Sequence, residues 1–383
     1  MRHPREILLR PLRFLQRTEW PLLPLALLIL AAGTLVQWSV AGLEALPTGH
    51  LVRAGMGVVA CILAASLPVR FYRRNAWLLY GLCLGLLVLV LLTGRATNNA
   101  RRWIEVPGLA GFKIQPSEFM KLALVLALAR WFADRPPPAR ARELLTPLLL
   151  TLVPAGLVLI QPDLGTSLTF GPLFLALAWM AGTGLRPLCA FLILPVLLVP
   201  LGSLVLQDYQ KERIEIWWRQ EDLSEAERND AGYHLWHSKL AVATGGLTGH
   251  GWGQGPENRL NRLPERHNDF VFPVLAEEFG FLGASAFLLL YASLGVTALL
   301  RASRYRDPFT RFVVAAVGVH FGIHLVINVG VTIGLLPTTG LPLPMVSWGG
   351  SSMMVSGLAL GLALAAGASR EPVFLDRAFA RDA

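Results

Sequence analysis

The chain has 383 residues, 54% of them hydrophobic and 15% charged, against about 25% charged residues in an ordinary soluble protein. With a mean hydropathy of +0.52 and roughly 20 apolar residues needed per bilayer crossing, a soluble globule is excluded and an all-α, polytopic membrane helix bundle is expected. The +9 formal charge must be sorted by side of the membrane before it says anything about anionic partners. The cysteines Cys61, Cys83 and Cys189 lie inside apolar runs, which excludes a disulfide scaffold or a zinc module.

In chain order, residues 1–19 form a basic segment in which Arg2, Arg5, Arg10, Arg13 and Arg17 alternate with Ile7, Leu8, Leu9, Leu12, Phe14 and Leu15. Two readings stand, a basic helix lying on anionic lipid or a charge cluster that only sets topology. Apolar runs follow near 20–43, 51–69, 77–94, 118–133, 144–160, 166–182, 185–206, 270–300, 310–336 and 345–368. They predict about ten transmembrane helices in a single domain, residues 20–369, before a tail at 370–383. The run from Trp20 is too long for a cleavable signal peptide and lacks an obvious cleavage site. No inverted repeat of the kind found in many transporters stands out.

An even helix count puts both termini on one side. That side carries 20 basic and 8 acidic residues and the other 14 basic and 17 acidic, so the positive-inside rule places the termini in the cytoplasm. The long polar loop, residues 207–268, is then extracytoplasmic.

Several polar residues stand where hydropathy alone would not put them. The fourth helix opens Gln115-Pro116-Ser117-Glu118, with Lys121 one turn on. Pro116 suits a helix start, and Glu118 and Lys121 at i, i+3 share a face on which they can pair. A structural ion pair and a polar cavity are both open readings. Gln161-Pro162-Asp163-Leu164-Gly165-Thr166 interrupts the apolar stretch between the fifth and sixth helices, either as a plain turn or as part of the same outward-facing cavity.

The outer loop contains Asp208-Tyr209-Gln210-Lys211-Glu212-Arg213, an acidic stretch from Glu221 to Asp230, then Gly232-Tyr233-His234 and Ser238-Lys239. Six glycines from Gly245 to Gly255 would let backbone amides approach a phosphate or sugar, or would simply be loop. Pro264-Glu265-Arg266-His267-Asn268-Asp269-Phe270 follows, with Glu277-Glu278 beyond it. Asp269 meets an apolar helix, where partial desolvation raises a carboxylate toward the range of a useful general base; Asn268 or Asp269 could equally cap that helix. Asn328 lies in the ninth helix. Leu336-Pro337-Thr338-Thr339-Gly340-Leu341-Pro342-Leu343-Pro344 is a proline-stiffened loop, and Ser347-Trp348-Gly349-Gly350-Ser351-Ser352 allows close packing or cavity lining.

These blocks, with Ala100-Arg101-Arg102-Trp103-Ile104, resemble in order and spacing the SEDS family (shape, elongation, division and sporulation) over nearly the whole chain. Leu263 to His267 and Gly340 to Pro344 look more like its rod-shape branch (RodA) than its division branch (FtsW). Asn268, Trp348, His237 and Pro273 stand where the family usually has Thr, Tyr, Gln and a non-proline residue, which bears on fine specificity.

The resemblance implies a ten-helix fold and a peptidoglycan glycosyltransferase that polymerises lipid II at the outer face of the bacterial inner membrane during elongation and shape maintenance. It also implies release of undecaprenyl diphosphate. Asp269 matches the family's essential aspartate, and Glu118 and Lys121 match its intramembrane charged pair. Positive charge for the leaving diphosphate is expected from Lys121, Arg101, Arg102, Arg213 or Lys239, with a divalent cation (Mg or Mn) as an addition. Gln161, Asp163, Ser347 and Ser351 are expected to support the site. The implied partners are lipid II and undecaprenyl-linked glycan, a class B penicillin-binding protein transpeptidase and other elongation-complex membrane proteins, with no nucleic acid. A lipid II flippase is the competing reading; it needs polar residues facing both leaflets, whereas these clusters gather on one side. A non-catalytic scaffold would leave the Asp269 block unexplained.

Overall fold

The computed structural model describes residues 21–44, 46–93, 102–105, 113–191 and 208–368. Arg101, both termini and most of the seventh apolar run lie outside them. Among the described residues, seven helical segments are long and apolar enough to cross a membrane. Helices α1 (Leu22–Val40), α2 (Thr48–Ser66) and α3 (Val69–Thr93) are followed by a two-residue antiparallel pair, β1 (Ile104–Glu105) and β2 (Lys113–Ile114), with Ile104 opposite Ile114. Next come α4 (Pro116–Ala133), α5 (Leu145–Ile160) and α6 (Leu164–Met180). Residues 185–191 are helical. In the outer loop are α7 (Asp208–Trp218), α8 (Glu225–Arg228), α9 (Tyr233–Thr244) and α10 (Pro256–Arg259), and the chain closes with α11 (Val271–Ala302), α12 (Pro308–Thr332) and α13 (Gly350–Ala368).

The burial pattern is that of a bundle in lipid. Leu28, Val52, Ile62, Leu78, Leu82, Leu149, Leu289 and Val326 point outward, each more than half exposed, an arrangement that hydrocarbon tolerates and water does not. α4 and α13 are buried around most of their circumference. Two apolar cores result. One joins Tyr72, Leu124, Leu128, Phe170, Leu173 and Phe309 across α3, α4, α6 and α12; the other joins Ile29, Phe287, Tyr291, Phe321, Val346 and Met353 across α1, α11, α12 and α13. A stripe of small residues brings α2 against α13 backbone to backbone. A Cβ on Gly357 would fall 2.0 Å from the Gly57 carbonyl oxygen, and one on Gly361 2.4 Å from that of Cys61. Close contact of this kind is how helices associate where apolar surface alone gives no preference.

α11 is not one continuous helix. Gly280, with φ +65° and ψ −167°, breaks it, and the glycine-rich segment fills the break. The amides of His250 and Gly251 donate to the carbonyls of Glu277 and Glu278, while Phe281 and Leu282 donate to the carbonyls of Gly246 and Leu247. A Cβ on Gly249 would lie 2.2 Å from the Glu278 carbonyl oxygen. The glycines therefore serve to splice a loop into a helix, in place of the phosphate or sugar approach that their spacing also allowed.

The helix ends sort by charge. At the end away from the polar loop, Arg73 pairs with Asp134 at 2.6 Å and with Asp307 at 3.3 Å, and Arg130 reaches Asp134 at 3.7 Å. At the other end, the starts of α4, α6, α11 and α13 and the ends of α1 and α12 converge under the loop.

Candidate active site

Between the two cores and beneath the loop lies a cavity of about 490 Å³, lined in part by Arg102, Glu118, Asp163, Arg213, Asp269 and Ser351. Each position has a local cause. Pro116 takes the first position of α4, where its missing N–H costs nothing, and puts Glu118 in the first turn. Asp163 caps α6, its carboxylate accepting from the Thr166 amide at 3.1 Å and from Gln115 Nε2 at 2.7 Å. Ser351, in the first turn of α13, accepts from the Gln115 amide at 2.9 Å. The cavity wall is thus tied across three helices by Gln115.

Asp269 precedes α11, whose capping position is taken by Phe270 with no side-chain cap. The carboxylate is therefore not spent on the capping role that the sequence left open to Asn268 or Asp269. It is half-buried at the cavity wall. Its backbone is held by Asn328, whose Nδ2 donates to the Asp269 carbonyl at 2.9 Å and to the Leu341 carbonyl at 2.8 Å. Gly340, with φ +70°, passes so close that a Cβ there would sit 3.3 Å from Asp269 Oδ2. Desolvation, with repulsion from Glu265 and Asp163 and opposed by Arg213, pushes this carboxyl from 3.8 up to about 7. A base with that affinity is half-deprotonated at neutral pH and takes a proton readily.

Glu118 and Lys121 pair at 2.8 Å with Lys121 fully buried. Lys121 Nζ also meets His324 Nε2 at 2.9 Å, and His324 Nδ1 faces the Pro342 carbonyl at 3.1 Å. Because that carbonyl can only accept, Nδ1 carries the proton and Nε2 accepts from Lys121. Lys121 is therefore a buried linchpin under the cavity and not a cation offered to a diphosphate, as the sequence allowed. Glu118, which does line the cavity, is its open end.

Of the remaining cations, Arg102 and Arg213 line the cavity. Arg102 donates to the Gln161 carbonyl at 2.8 Å and to the Pro162 carbonyl, and lies 3.3 Å from the Tyr209 hydroxyl. Arg213 reaches the Thr338 carbonyl at 3.4 Å and covers the Tyr209 ring. Lys239, also expected here, instead pairs with Glu221 at 2.8 Å and Gln220 at 3.1 Å, away from the cavity. Its short distance in sequence from His234 does not bring it to the site, because its side chain is held by Gln220 and Glu221.

Gln161 and Ser347 support the site without lining it. Gln161 donates to the Leu87 carbonyl at 2.9 Å; Ser347 donates to the Asn268 carbonyl at 2.5 Å and accepts from the Leu343 amide at 2.8 Å. Glu277 and Glu278 anchor the loop from below. Glu277 accepts from the amides of Glu257 and Asn258 at 2.7 and 3.2 Å, and Glu278 accepts from Asn258 Nδ2 at 2.9 Å and from Ser39. No group of three or more His, Cys, Asp or Glu converges among the described residues.

Sequence reasoning missed Gln37, Tyr209, His324 and the role of Asn328. Gln37 Nε2 holds the carbonyls of His267 and Val346 at 2.9 and 3.0 Å. An isolated polar residue in an apolar run is a signal for such a role, and it was available for Gln37, His324 and Asn328.

With this geometry in place, comparison is informative. The model of the cell cycle protein family FTSW_RODA_SPOVE matches residues 20–371. The chain belongs to this family. It is 35% identical over 345 residues to the peptidoglycan glycosyltransferase MrdB of Escherichia coli (strain K12), covering 90% of this chain and 91% of that protein. It is 36% identical over 321 residues to a probable peptidoglycan glycosyltransferase FtsW of Mycobacterium tuberculosis, covering 83% of this chain and 59% of that one. Among solved structures it resembles a chain of a peptidoglycan synthase complex coordinating polymerization and crosslinking (TM-score 0.76, 34% identity, 91% of this chain and 97% of that one). It also resembles the Thermus thermophilus rod shape determining protein RodA (TM-score 0.69, 31% identity, 91% and 96%). The expected multi-pass membrane bundle of this family is the observed fold.

Proposed function

We propose that the chain is a peptidoglycan glycosyltransferase of cell elongation in which Asp269 is the general base, acting on lipid II at the outer face of the cytoplasmic membrane. The observation that carries this reading is a carboxyl raised to about 7 on the wall of a 490 Å³ cavity that also presents Arg102 and Arg213. The names of the family relatives supply the reaction class.

In the step, Asp269 takes the proton of the acceptor's GlcNAc 4-hydroxyl. That oxygen forms a bond to the anomeric carbon of the lipid-linked donor, whose bond to undecaprenyl diphosphate breaks with inversion. Arg102 and Arg213 are fixed by carbonyl contacts before substrate arrives, and preorganised cations stabilise developing negative charge without reorganising. The apolar outer surface of the bundle suits polyprenyl chains, and the polar cavity suits sugar and diphosphate.

The charge split supports cytoplasmic termini and an extracytoplasmic cavity. Likeness to a chain of a peptidoglycan synthase complex supports a class B penicillin-binding protein as partner. The flippase reading is disfavoured because the cavity with its buried charged groups lies at the loop end, while the ion pairs of Arg73 with Asp134 and Asp307 at the other end are surface contacts.

The test uses purified protein with its penicillin-binding partner and labelled lipid II. Asp269→Ala is expected to bind lipid II and make no glycan on a gel. Polymer formation at the unsubstituted rate would remove Asp269 from the mechanism.

A further inference from the structure

A general base used once must be emptied before it is used again. On that reading its own cavity is occupied at that moment by the extended lipid-linked glycan and the released undecaprenyl diphosphate, and is a poor route for the proton. Behind Asp269 there is another route. A second chamber, of about 80 Å³, shares Asp269, Arg213 and Thr339 with the main cavity and runs to Glu265, His234 and Asn328. We propose that this chamber holds water as a proton exit, and that His234 at its outer end passes to solvent the proton Asp269 has taken. The inference rests on the reading of Asp269 as general base.

Two buried atoms give the chamber a polar lining with unmet demand. Both protons of Asn328 Nδ2 are used by the carbonyls of Asp269 and Leu341, which fixes the orientation of the amide and makes Oδ1 an acceptor. Asn328 is 2% exposed and its Oδ1 has no partner; Thr339, 9% exposed, has an unpartnered Oγ1. Leaving buried polar atoms unpaired is costly. Water is the occupant that meets that demand, and a polar cavity needs only about 10–15 Å³ per molecule to hold it. A chamber of about 80 Å³ therefore admits a short chain of water with Asp269, Asn328 Oδ1 and Thr339 Oγ1 as partners.

His234 completes the route. It lines the chamber and is also exposed to solvent, and its ring lies 5.8 Å from that of Phe270, the residue following Asp269. The charged groups facing His234 are Arg213 from α7 and Glu265 from the loop before α11; those facing Asp269 are Glu265, Arg213 and Asp163. Burial and the Arg213 charge, opposed by Glu265, lower the affinity of His234 for a proton. The imidazole therefore stands neutral at pH 7 and releases what it accepts.

The steps balance. After the glycosidic bond forms, the proton on the Asp269 carboxyl moves to chamber water, which gives a proton to the free imidazole nitrogen. His234 then loses its proton to bulk water. One proton leaves per bond made, and Asp269 is again a carboxylate.

The experiment uses the full chain with its penicillin-binding partner on labelled lipid II, measuring initial rates against pH with and without imidazole. His234→Ala is expected to lower kcat about a hundredfold with KM for lipid II unchanged, and added imidazole should restore much of the loss. His234→Gln keeps a polar side chain that cannot carry a proton, and should be as slow as the alanine variant. A His234→Gln enzyme at full rate across the pH range overturns the relay, as does a slow His234→Ala enzyme that imidazole does not rescue. Should His234→Ala fail to fold, the glutamine variant decides, because full activity refutes and lost kcat at unchanged KM supports. Asp269→Asn is run alongside. Activity in that variant defeats the general-base reading itself, an outcome distinct from failure at His234.

Discussion

The buried triad Glu118–Lys121–His324 permits a quantitative test. Lys121 is 0% exposed and Glu118 3%, and they pair at 2.8 Å. Removing one partner of a buried pair costs about 3–5 kcal/mol, because the other charge is left uncompensated. Glu118→Gln should sit at the upper end, since it strands an ammonium with only a neutral imidazole at 2.9 Å. Lys121→Met should sit lower, since Glu118 opens to the cavity and can be hydrated there. The double variant leaves no buried charge and removes only the donor to His324, a loss of about 1–3 kcal/mol. Unfolding free energies from denaturing-detergent titration should therefore show the double variant losing less than the sum of the single losses, by at least about 3 kcal/mol. Losses that simply add would refute the pairing argument. Exchanging the two residues should cost more than the double variant. A carboxylate at position 121 would face an imidazole nitrogen that has no proton to give while Nδ1–H serves Pro342.

Further outcomes follow from single contacts. The folded protein binds a proton at Asp269 more tightly than the unfolded chain does, so the charged carboxylate opposes folding as pH rises from about 4 through about 7. Asp269→Asn should therefore unfold at a higher temperature than the unsubstituted protein at pH 8, with the difference fading toward pH 4. Polymerisation by the unsubstituted protein should rise through about pH 7 and level off above it, as loss of a proton from a base requires. Gly340→Ala places a methyl 3.3 Å from Asp269 Oδ2 at φ +70°; it should cost about 1–2 kcal/mol of backbone strain and lower kcat more than it raises KM. Lys239→Gln removes an exposed pair with Glu221, which solvent screens, and should leave the polymerisation rate unchanged.

The parts of the site that were legible in sequence share a feature. Asp269, Glu118 and Asp163 are acids placed against apolar helices, and the expense of a charge there marks them as used. Lys239 was expected at the site and the six glycines were left between two readings for a related reason. In a polar loop neither a lysine nor a glycine is costly, so their presence carries no information until the loop's path is known. The path sends Lys239 to Glu221 and threads Gly246–Gly251 into the break at Gly280. Lys121 was correctly marked as unusual but assigned to the diphosphate, because i, i+3 spacing shows a face without showing what covers it.

Hydropathy and charge, which are local and additive, determined that this chain is a membrane bundle, which stretches hold nine of the described helices, and which acids are out of place; they did not give the start of α3 at Val69, ahead of the expected 77, or the break at Gly280. The tertiary structure decided which of those acids meet. Asp269, Asp163 and Glu118 come from three separated segments, and His324 and Asn328 from a fourth. Only packing of α12 between the two cores brings its histidine under Lys121 and its asparagine against Asp269. Contacts between residues remote in sequence depend on how whole helices stack, and no residue type or spacing along a single chain encodes that directly.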